Sequence, residues 1–285
     1  MPTAHSRSLG QFFTPPGVVD FTLGALAWLD AASTATSRRL IDPACGEGAF
    51  VLRALEAGLV RPPNAYGLDT DPGLQEVWRA QGALSGARLE VADGLLADEV
   101  CDEPLLRESF DWVVGNPPYA GTGLKEASQQ LLAAVADRYD LWRHRFGRDR
   151  LTWDNLRRVP IEILFIERFW QLCREGGHIA VILPEGVFSN SRWRFVRDWL
   201  LSVATVQAVV GLPRNTFRTG STTAKTCLLL ATRRPPVAGH RVRLAEVDSV
   251  GVGADQDRLP QLLAAWKEGR DHHPARHPGE DVDRW

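Results

Sequence analysis

Phe110-Asp111-Trp112-Val113-Val114-Gly115-Asn116-Pro117-Pro118-Tyr119 reads as a buried strand that stops abruptly in a short, stiff, polar loop. Asp111 to Gly115 carries the strand, with Trp112, Val113 and Val114 as its apolar run. Pro117 and Pro118 then fix φ and remove two backbone donors. A residue that precedes a proline is pushed out of the helical region. Asn116 is therefore predicted to be extended, with its amide at the C-terminal edge of a sheet. Open α/β sheets bind their ligands at that edge. Tyr119 follows at once and offers a flat π face beside the amide.

Upstream, three strands end in a comparable way. Arg39-Leu40-Ile41-Asp42 is a short strand, Pro43-Ala44-Cys45-Gly46-Glu47-Gly48 a tight turn, and Ala49 to Ala57 a helix. Strand, glycine turn, helix is the nucleotide-binding opening of a doubly wound α/β fold. The third glycine of the dinucleotide fingerprint is missing, because Phe50 and Val51 follow instead. With no diphosphate to cradle, the turn tilts toward S-adenosylmethionine. Ala65-Tyr66-Gly67-Leu68-Asp69 is the second strand, and Asp69 lies 21 residues after Gly48. That is where an acid accepts bonds from both ribose hydroxyls, although a strand-end Asp also caps helices. Asp71, before Pro72, fits the capping role better. Arg88 to Gly94 is the third strand and turn, and Asp93 suits the amine of an adenine. Asp42, Asp69, Asp93 and Asn116 each end one of four successive strands, and the ordered series is stronger than any member.

The chemistry that suits Asn116 is methyl transfer to a planar, conjugated nitrogen. The lone pair of an exocyclic amine such as adenine's is delocalised into the ring. The Asn116 side-chain carbonyl and the Pro117 backbone carbonyl can each accept one N–H from it, which favours a pyramidal nitrogen with a free lone pair. This is catalysis by positioning and electrostatics. Alone, Asn-Pro-Pro-Tyr also fits a proline-rich turn after a strand.

Toward the N-terminus, Gly10-Gln11-Phe12-Phe13-Thr14-Pro15-Pro16 precedes a helix predicted from about Val18 to Leu29. Thr14 is its expected N-cap, and its free N–H groups suit a carboxylate. Downstream, residues 120–160 form an insertion. Trp142 to Arg150, with Arg157 and Arg158, interleaves basic and aromatic residues, which fits either phosphate contact with stacking or a solvated helix face. Ile161 to Glu175 is an amphipathic helix, with Ile161, Phe165, Phe169 and Leu172 on its core stripe, ended by Gly176-Gly177. His178 to Leu183 is a fifth strand, Asn190 to Val203 a helix, Val206 to Leu212 a strand and Thr226 to Ala231 the closing strand. Phe217, at the lip of a polar turn (Arg218 to Thr223), is either a second stacking face for a base or a hydrophobic anchor. A short appendage, residues 233–285, follows. It holds an edge strand over Val242 to Val247, a helix over Leu259 to Lys267 and a charged tail from Gly269 to Trp285.

The 285 residues are 44% hydrophobic and 24% charged, ordinary for a globular chain long enough for one large α/β domain. No apolar run reaches membrane-spanning length, and Met1 to Leu9 has no apolar signal core. Cys45, Cys101, Cys173 and Cys227 are scattered and read as reduced, cytoplasmic thiols. His272, His273 and His277 have no cysteine or acid cluster at zinc spacing, so no metal site is predicted. The net charge of −2 is low for a protein that holds DNA alone. Any nucleic-acid contact is expected from a local patch or from a partner.

The chain resembles the adenine-N6 DNA methyltransferases whose glycine motif precedes Asn-Pro-Pro-Tyr, and more closely the modification subunits of type I restriction-modification systems. The resemblance runs over Gly10 to Pro15, Glu162 to Phe188, Val196 to Leu201, Gly211 to Phe217 and Lys225-Thr226. It implies a Rossmann-like, class I methyltransferase fold: a mostly parallel seven-stranded sheet with helices on both faces and the last strand antiparallel. It implies a catalytic domain over residues 1–232. Contacts to S-adenosylmethionine are implied at Thr14, Asp42, Ala44, Gly46, Asp69 and Asp93, and the Gly48 turn is placed with them. Catalysis falls to Asn116, Pro117, Pro118 and Tyr119, with Tyr119 stacking on an extruded adenine. The products are N6-methyladenine and S-adenosylhomocysteine. The chain departs from that subunit in two ways: nine residues precede Gly10, and residues 232–285 are too short for a target-recognition domain. DNA specificity is therefore expected from a separate subunit or from a portion of a longer chain. The rival readings are a glutamine-N5 protein methyltransferase, an RNA methyltransferase, and a cofactor-binding subunit inactive without its partner. The Gly10 to Pro15 and Thr216 to Thr226 segments argue against the first two.

Overall fold

A computed structural model describes residues 14–31, 33–104, 108–119, 129–146, 152, 154, 159–217, 225–250 and 257–270. Among the described residues ten strands are formed: β1 (Leu40–Asp42), β2 (Ala65–Asp69), β3 (Arg88–Val91), β4 (Glu99–Val100), β5 (Glu103–Pro104), β6 (Phe110–Gly115), β7 (Cys173–Pro184), β8 (Thr205–Gly211), β9 (Thr226–Thr232) and β10 (Arg243–Glu246). β4 and β5 form a small antiparallel pair of their own. The other eight make one sheet in the order β10-β8-β9-β7-β6-β1-β2-β3. All neighbours are parallel except β9, which runs antiparallel to both β7 and β8. The eight comprise the expected seven, with β9 as the antiparallel strand, and the expected edge strand, which β10 supplies beside β8.

The helices are α1 (Pro16–Leu29), α2 (Ala49–Glu56), α3 (Leu74–Ala80), α4 (Gln129–Arg138), α5 (Leu141–Phe146), α6 (Ile161–Leu172), α7 (Gly186–Ser189), α8 (Arg194–Val203) and α9 (Leu259–Lys267). They cover both faces of the sheet. Strand residues alternate between faces: Val113, Ile179, Val181 and Leu183 pack with α4, α6 and α8. Trp112, Val114, Ala180 and Ile182 pack with α1, α2, α3 and α9. On that second face Trp266 of α9 lies against Phe21 and Trp28 of α1, with ring centroids 5.6 and 6.1 Å apart. Among the described residues no helix is long and apolar enough to cross a membrane.

Sheet order fixes where a ligand can sit. The chain builds β1, β2 and β3 outward in one direction, then returns to lay β6 on the other side of β1. The β1/β6 boundary is therefore a topological switch point, and the crevice beyond its carboxyl ends is the place for a ligand. Gly115 lets the two strand ends approach, because a Cβ there would lie 2.5 Å from Asp42 Oδ1 and 3.1 Å from Phe169.

Two sequence expectations are corrected. The helix expected over Ile161 to Glu175 ends at Leu172, and Gly176-Gly177 belongs to β7. Phe110 pairs with Cys173 but Trp112 pairs with His178, so residues 174–177 bulge out of the ladder. Gly176 has φ +73°, and a Cβ on Gly177 would meet the Asp111 carbonyl at 2.9 Å. Thr14 does not cap α1: the N-cap position is Pro15, with no side-chain cap bond. Two prolines at the start leave few orphan donors for a cap to satisfy.

The N-terminal edge of the sheet carries a buried polar cluster. Trp112 Nε1 donates to Asp30 at 2.9 Å, and the Arg38 guanidinium stands 4.0 Å from the Trp112 ring centroid. His178 lies alongside and shares a 3.1 Å hydrogen bond with Thr232. Burial, reinforced by Arg174, Arg234 and Arg38 and opposed by Asp30, lowers the His178 pKa to about 4. A histidine kept neutral when folded and free to protonate when unfolded makes the protein lose stability as pH falls from about 6.5 toward 4. The loss is on the order of 3 kcal/mol. Urea unfolding at pH 7.5 and at pH 5 reads about 2 kcal/mol of it, and His178→Gln should show the smaller difference. Equal pH dependence in both proteins would refute the assignment.

Candidate active site

The carboxyl ends of β6, β1, β2 and β3 lie side by side in that order, so Asn116, Asp42, Asp69 and Asp93 form a row across one edge of the sheet. The sequence placed each residue at a strand end, and the topology makes those ends neighbours.

Asp42 is buried (1% exposed) and accepts the Ala44 N–H at 3.0 Å. Burial raises its pKa to about 8, and the Asp69 charge pushes the same way against the Ala44 hydrogen bond. Asp69 accepts the Gly46 N–H at 2.8 Å and the Asp71 N–H at 3.1 Å. Its pKa is also raised by burial. Asp69 thus ties the glycine turn to the end of β2, while Asp71 accepts the Gly73 N–H just before α3, whose N-cap is Gly73 with no side-chain cap bond. Gly46 and Gly48 both adopt left-handed backbone (φ +54° and +87°), which a side chain would strain. The Trp78 indole of α3 donates to the Gly46 carbonyl at 2.8 Å and fixes the turn from beneath. Space above Gly46 is open, with nothing within 4 Å of where a Cβ would stand. Asp93 turns the chain after β3 by accepting the Leu95 N–H at 2.9 Å.

Two buried carboxylates beside an open, glycine-lined turn suit a ligand that carries positive charge and hydroxyl donors. The donor set therefore fits S-adenosylmethionine, with Asp42, Ala44, Gly46 and Asp69 as the residues to hold it.

In the loop that follows β6, Asn116 is half-buried, Pro117 buried and Pro118 half-buried. Asn116 Nδ2 donates to Thr14 Oγ1 at 3.2 Å, which brings the start of α1 onto this loop. The Tyr119 ring is 1% exposed and Phe217 is 6% exposed. Burial pushes the Tyr119 hydroxyl up, and the neighbouring Asn116 side chain opposes that shift. Neither ring presents an open face here, so stacking on a base requires that they be uncovered.

A chain whose sheet has this switch point, this row of acids and this amide is matched over residues 2–252 by a sequence model of the family described as N-6 DNA Methylase. The chain belongs to the N-6 DNA methylase family. The N-6 DNA methylase match is accompanied by 31% identity over 185 residues to the type II methyltransferase M.TthHB8I of Thermus thermophilus, covering 64% of this chain and 36% of that protein. Over 115 residues the chain is 28% identical to the methylase subunit of the type I restriction enzyme MjaIX of Methanocaldococcus jannaschii, covering 39% and 19%. It thus spans between about a fifth and a third of the length of these curated relatives. In fold it is similar to the crystal structure of the type I restriction-modification system methyltransferase subunit from Streptococcus thermophilus. The TM-score is 0.66 at 22% identity, over 93% of this chain and 54% of the other.

Several residues that build this N-6 DNA methylase site escaped the sequence reading. Arg168 of α6 is 4% exposed and donates to the Gly94 and Ala97 carbonyls at 2.8 and 2.7 Å. It clamps the turn that follows Asp93. Tyr139 donates to the Leu95 carbonyl at 2.6 Å, and Arg138 bonds the Leu96 carbonyl and Asp98. Glu167 accepts the Asp140 and Leu141 N–H groups, both at 2.8 Å, and so starts α5. One available signal was an adjacent charged pair, Glu167-Arg168, in the middle of a mostly apolar helix. The basic insertion segment is only partly described: Arg143 is held by Asp140 and the Ala136 carbonyl. Arg148, Arg150, Arg157, Arg158, the Gly10 to Phe13 segment, the Arg218 to Thr223 turn and the tail histidines lie outside the described residues.

Proposed function

We propose that this chain is the catalytic domain of an S-adenosylmethionine-dependent DNA methyltransferase acting on adenine N6 of a flipped base, within a restriction-modification or related phage-defence system. The observation that carries the reading is the Asn116 amide at the β1/β6 switch point, one strand away from the buried Asp42. S-adenosylmethionine supplies an electrophilic methyl group on a sulfonium when bound. Asp42 and Asp69 offer negative charge and acceptors to it, Ala44 and Gly46 line it, and Asp93 accepts from its adenine. Gly48 shapes the turn. Asn116 Oδ1 and the Pro117 carbonyl accept the two N–H bonds of the target amine, which frees its lone pair. Tyr119 stacks on the extruded base, and Phe217 serves as a second face.

The partner of this domain is DNA, and specificity resides in a separate subunit or in a recognition domain. The burial of Tyr119 and Phe217 favours one further reading: the chain alone is closed, and DNA or a partner opens it. We place the protein in the cytoplasm, with domain limits of 1–232 and 233–285.

The test is the product. Purified chain, labelled S-adenosylmethionine and mixed-sequence DNA are expected to give N6-methyladenine on digestion and mass spectrometry, with or without a co-expressed partner. Methylglutamine in protein, or label only in RNA, would overturn the reading.

A pH effect on cofactor binding follows from Asp42. Its carboxyl, raised to about 8, is protonated at neutral pH in the free protein. A cationic ligand beside it favours the carboxylate, so binding releases a proton. Cofactor affinity is expected to rise up to about tenfold per pH unit below about pH 8 and to level above it. Calorimetry in buffers of different ionisation enthalpy reads the released proton. Asp42→Asn should abolish the release, and an unchanged release would remove Asp42 from the site.

A further inference from the structure

Asn116 and Thr14 are each followed by two prolines: Asn116-Pro117-Pro118 and Thr14-Pro15-Pro16. A residue before proline loses most of its helical freedom, and the proline after it has fixed φ. Two polar side chains are thus held on stiff stems that face each other, 102 residues apart in sequence and joined by one bond, Asn116 Nδ2 to Thr14 Oγ1 at 3.2 Å. Thr14 is 7% exposed, and its stem runs directly into α1, whose Val18 and Val19 are buried in the core.

An asparagine amide has two ends of nearly equal size and opposite hydrogen-bonding character. For the proposed reaction only the oxygen end is useful, because it must accept an N–H from the target amine. An amide turned by 180° would offer N–H groups to that amine's own hydrogens and to its lone pair. Here the nitrogen end is occupied by the Thr14 oxygen. Asn116 Oδ1 is buried and accepts no hydrogen bond of ordinary geometry among the described residues. A buried acceptor left in this state is costly, and a substrate N–H would satisfy it.

We propose that Thr14 is a positioning residue: its hydroxyl oxygen accepts from Asn116 Nδ2 and thereby holds the amide with Oδ1 toward the target amine. Thr14 acts through Asn116, in addition to any contact with the cofactor. The start of α1 therefore sets the orientation of the catalytic amide. This inference rests on the proposed methyl transfer for its meaning, while the contact itself is testable without activity.

The experiment uses the full chain, Thr14→Val and Thr14→Ser. The first readout is the Asn116 side-chain NH2 pair in a ¹⁵N–¹H spectrum, identified by its loss in Asn116→Ala. It should shift and broaden in Thr14→Val, and return toward the wild-type position in Thr14→Ser. An identical NH2 pair in wild type and Thr14→Val would overturn the contact, whatever the activity. The second readout is methyl transfer at saturating cofactor and DNA, with the partner present if one is required. Thr14→Val should lower kcat about tenfold, the ratio set by one neutral hydrogen bond, and Thr14→Ser should recover most of it. A raised cofactor KM with unchanged kcat would assign Thr14 to the cofactor alone and overturn the positioning role. Spectral coupling together with a wild type that makes no N6-methyladenine would instead count against the proposed function and leave the contact standing.

Discussion

Asn116→Ala is expected to lower methyl transfer to DNA by about 10³-fold or more while leaving cofactor affinity within about threefold. The expected loss comes from what the side chain does in the transition state. Removing one preorganised hydrogen-bonding group at a site of charge development typically costs about 10²–10³ in rate. Asn116 is asked for more than one such group provides, because it both holds the amine and favours its pyramidal form. Cofactor affinity should be spared because the acids proposed to hold the cofactor hang on other strands. Asp42 is fixed by Ala44, and Asp69 by Gly46 and Asp71, and these bonds lie in the turns after β1 and β2. Alanine also follows the local backbone, since Pro117 and Pro118 alone keep the stem extended. Single-turnover transfer, with S-adenosylmethionine binding measured by calorimetry on the same sample, separates the two effects. Activity within tenfold of wild type would remove Asn116 from the catalytic step. A parallel loss of cofactor binding would mean that the loop, and not the amide, had been damaged.

Much of this site was legible in the sequence because parallel strands carry their information locally. β1, β2 and β6 are short apolar runs, and each stops at or just before a polar residue that the turn chemistry marks. Asp42, Asp69, Asp93 and Asn116 were therefore readable one at a time, and topology put them in a row. The two left-handed glycines, Gly46 and Gly48, were readable for the same reason. Contacts between distant segments were not. The Thr14 to Asn116 bond has no local signature, and Thr14 looked like a helix cap because Thr-Pro-Pro before an apolar run usually is one. Arg168 is a charged residue in a core helix, and its carbonyl partners lie more than 70 residues away. The Gly176-Gly177 pair looked like a helix end, because nothing nearby records that β7 must bulge around the Asp111 carbonyl. Tyr119 is expected from the sequence as an open aromatic face, and Phe217 as either a second face or a hydrophobic anchor. An aromatic residue at a loop edge reads the same whether its ring is covered or open, and burial depends on what folds over it.

Gly94→Ala is expected to be the most damaging small substitution at the cofactor site. A Cβ at Gly94 would lie 1.8 Å from the Pro43 carbonyl oxygen and 2.8 Å from the Pro43 carbonyl carbon. The clash is with backbone, so no rotamer change relieves it. Neither loop has room to retreat. Pro43 follows Asp42 directly, and Gly46 in the same turn is bonded to Asp69 and Trp78. Gly94 is held from its other side by Arg168. Overpacking in a fixed environment costs about 1–3 kcal/mol and occasionally more, and this overlap belongs at the upper end. The strain lands between the loop that carries Asp42 and the turn that carries Asp93. Cofactor affinity should therefore fall at least about tenfold in molecules that remain folded, because a shift of even about 1 Å breaks hydrogen-bonding geometry. Gly82→Ala is the matched control, since its Cβ would meet nothing within 4 Å. Urea unfolding of the three proteins gives the stability term, and calorimetric titration of S-adenosylmethionine below the unfolding transition gives the affinity term. A normal urea midpoint and a normal Kd for Gly94→Ala would refute the close approach itself. A lowered midpoint with unchanged Kd would mean that the two loops yield away from the cofactor, so that Asp93 is not held in place for binding by Gly94.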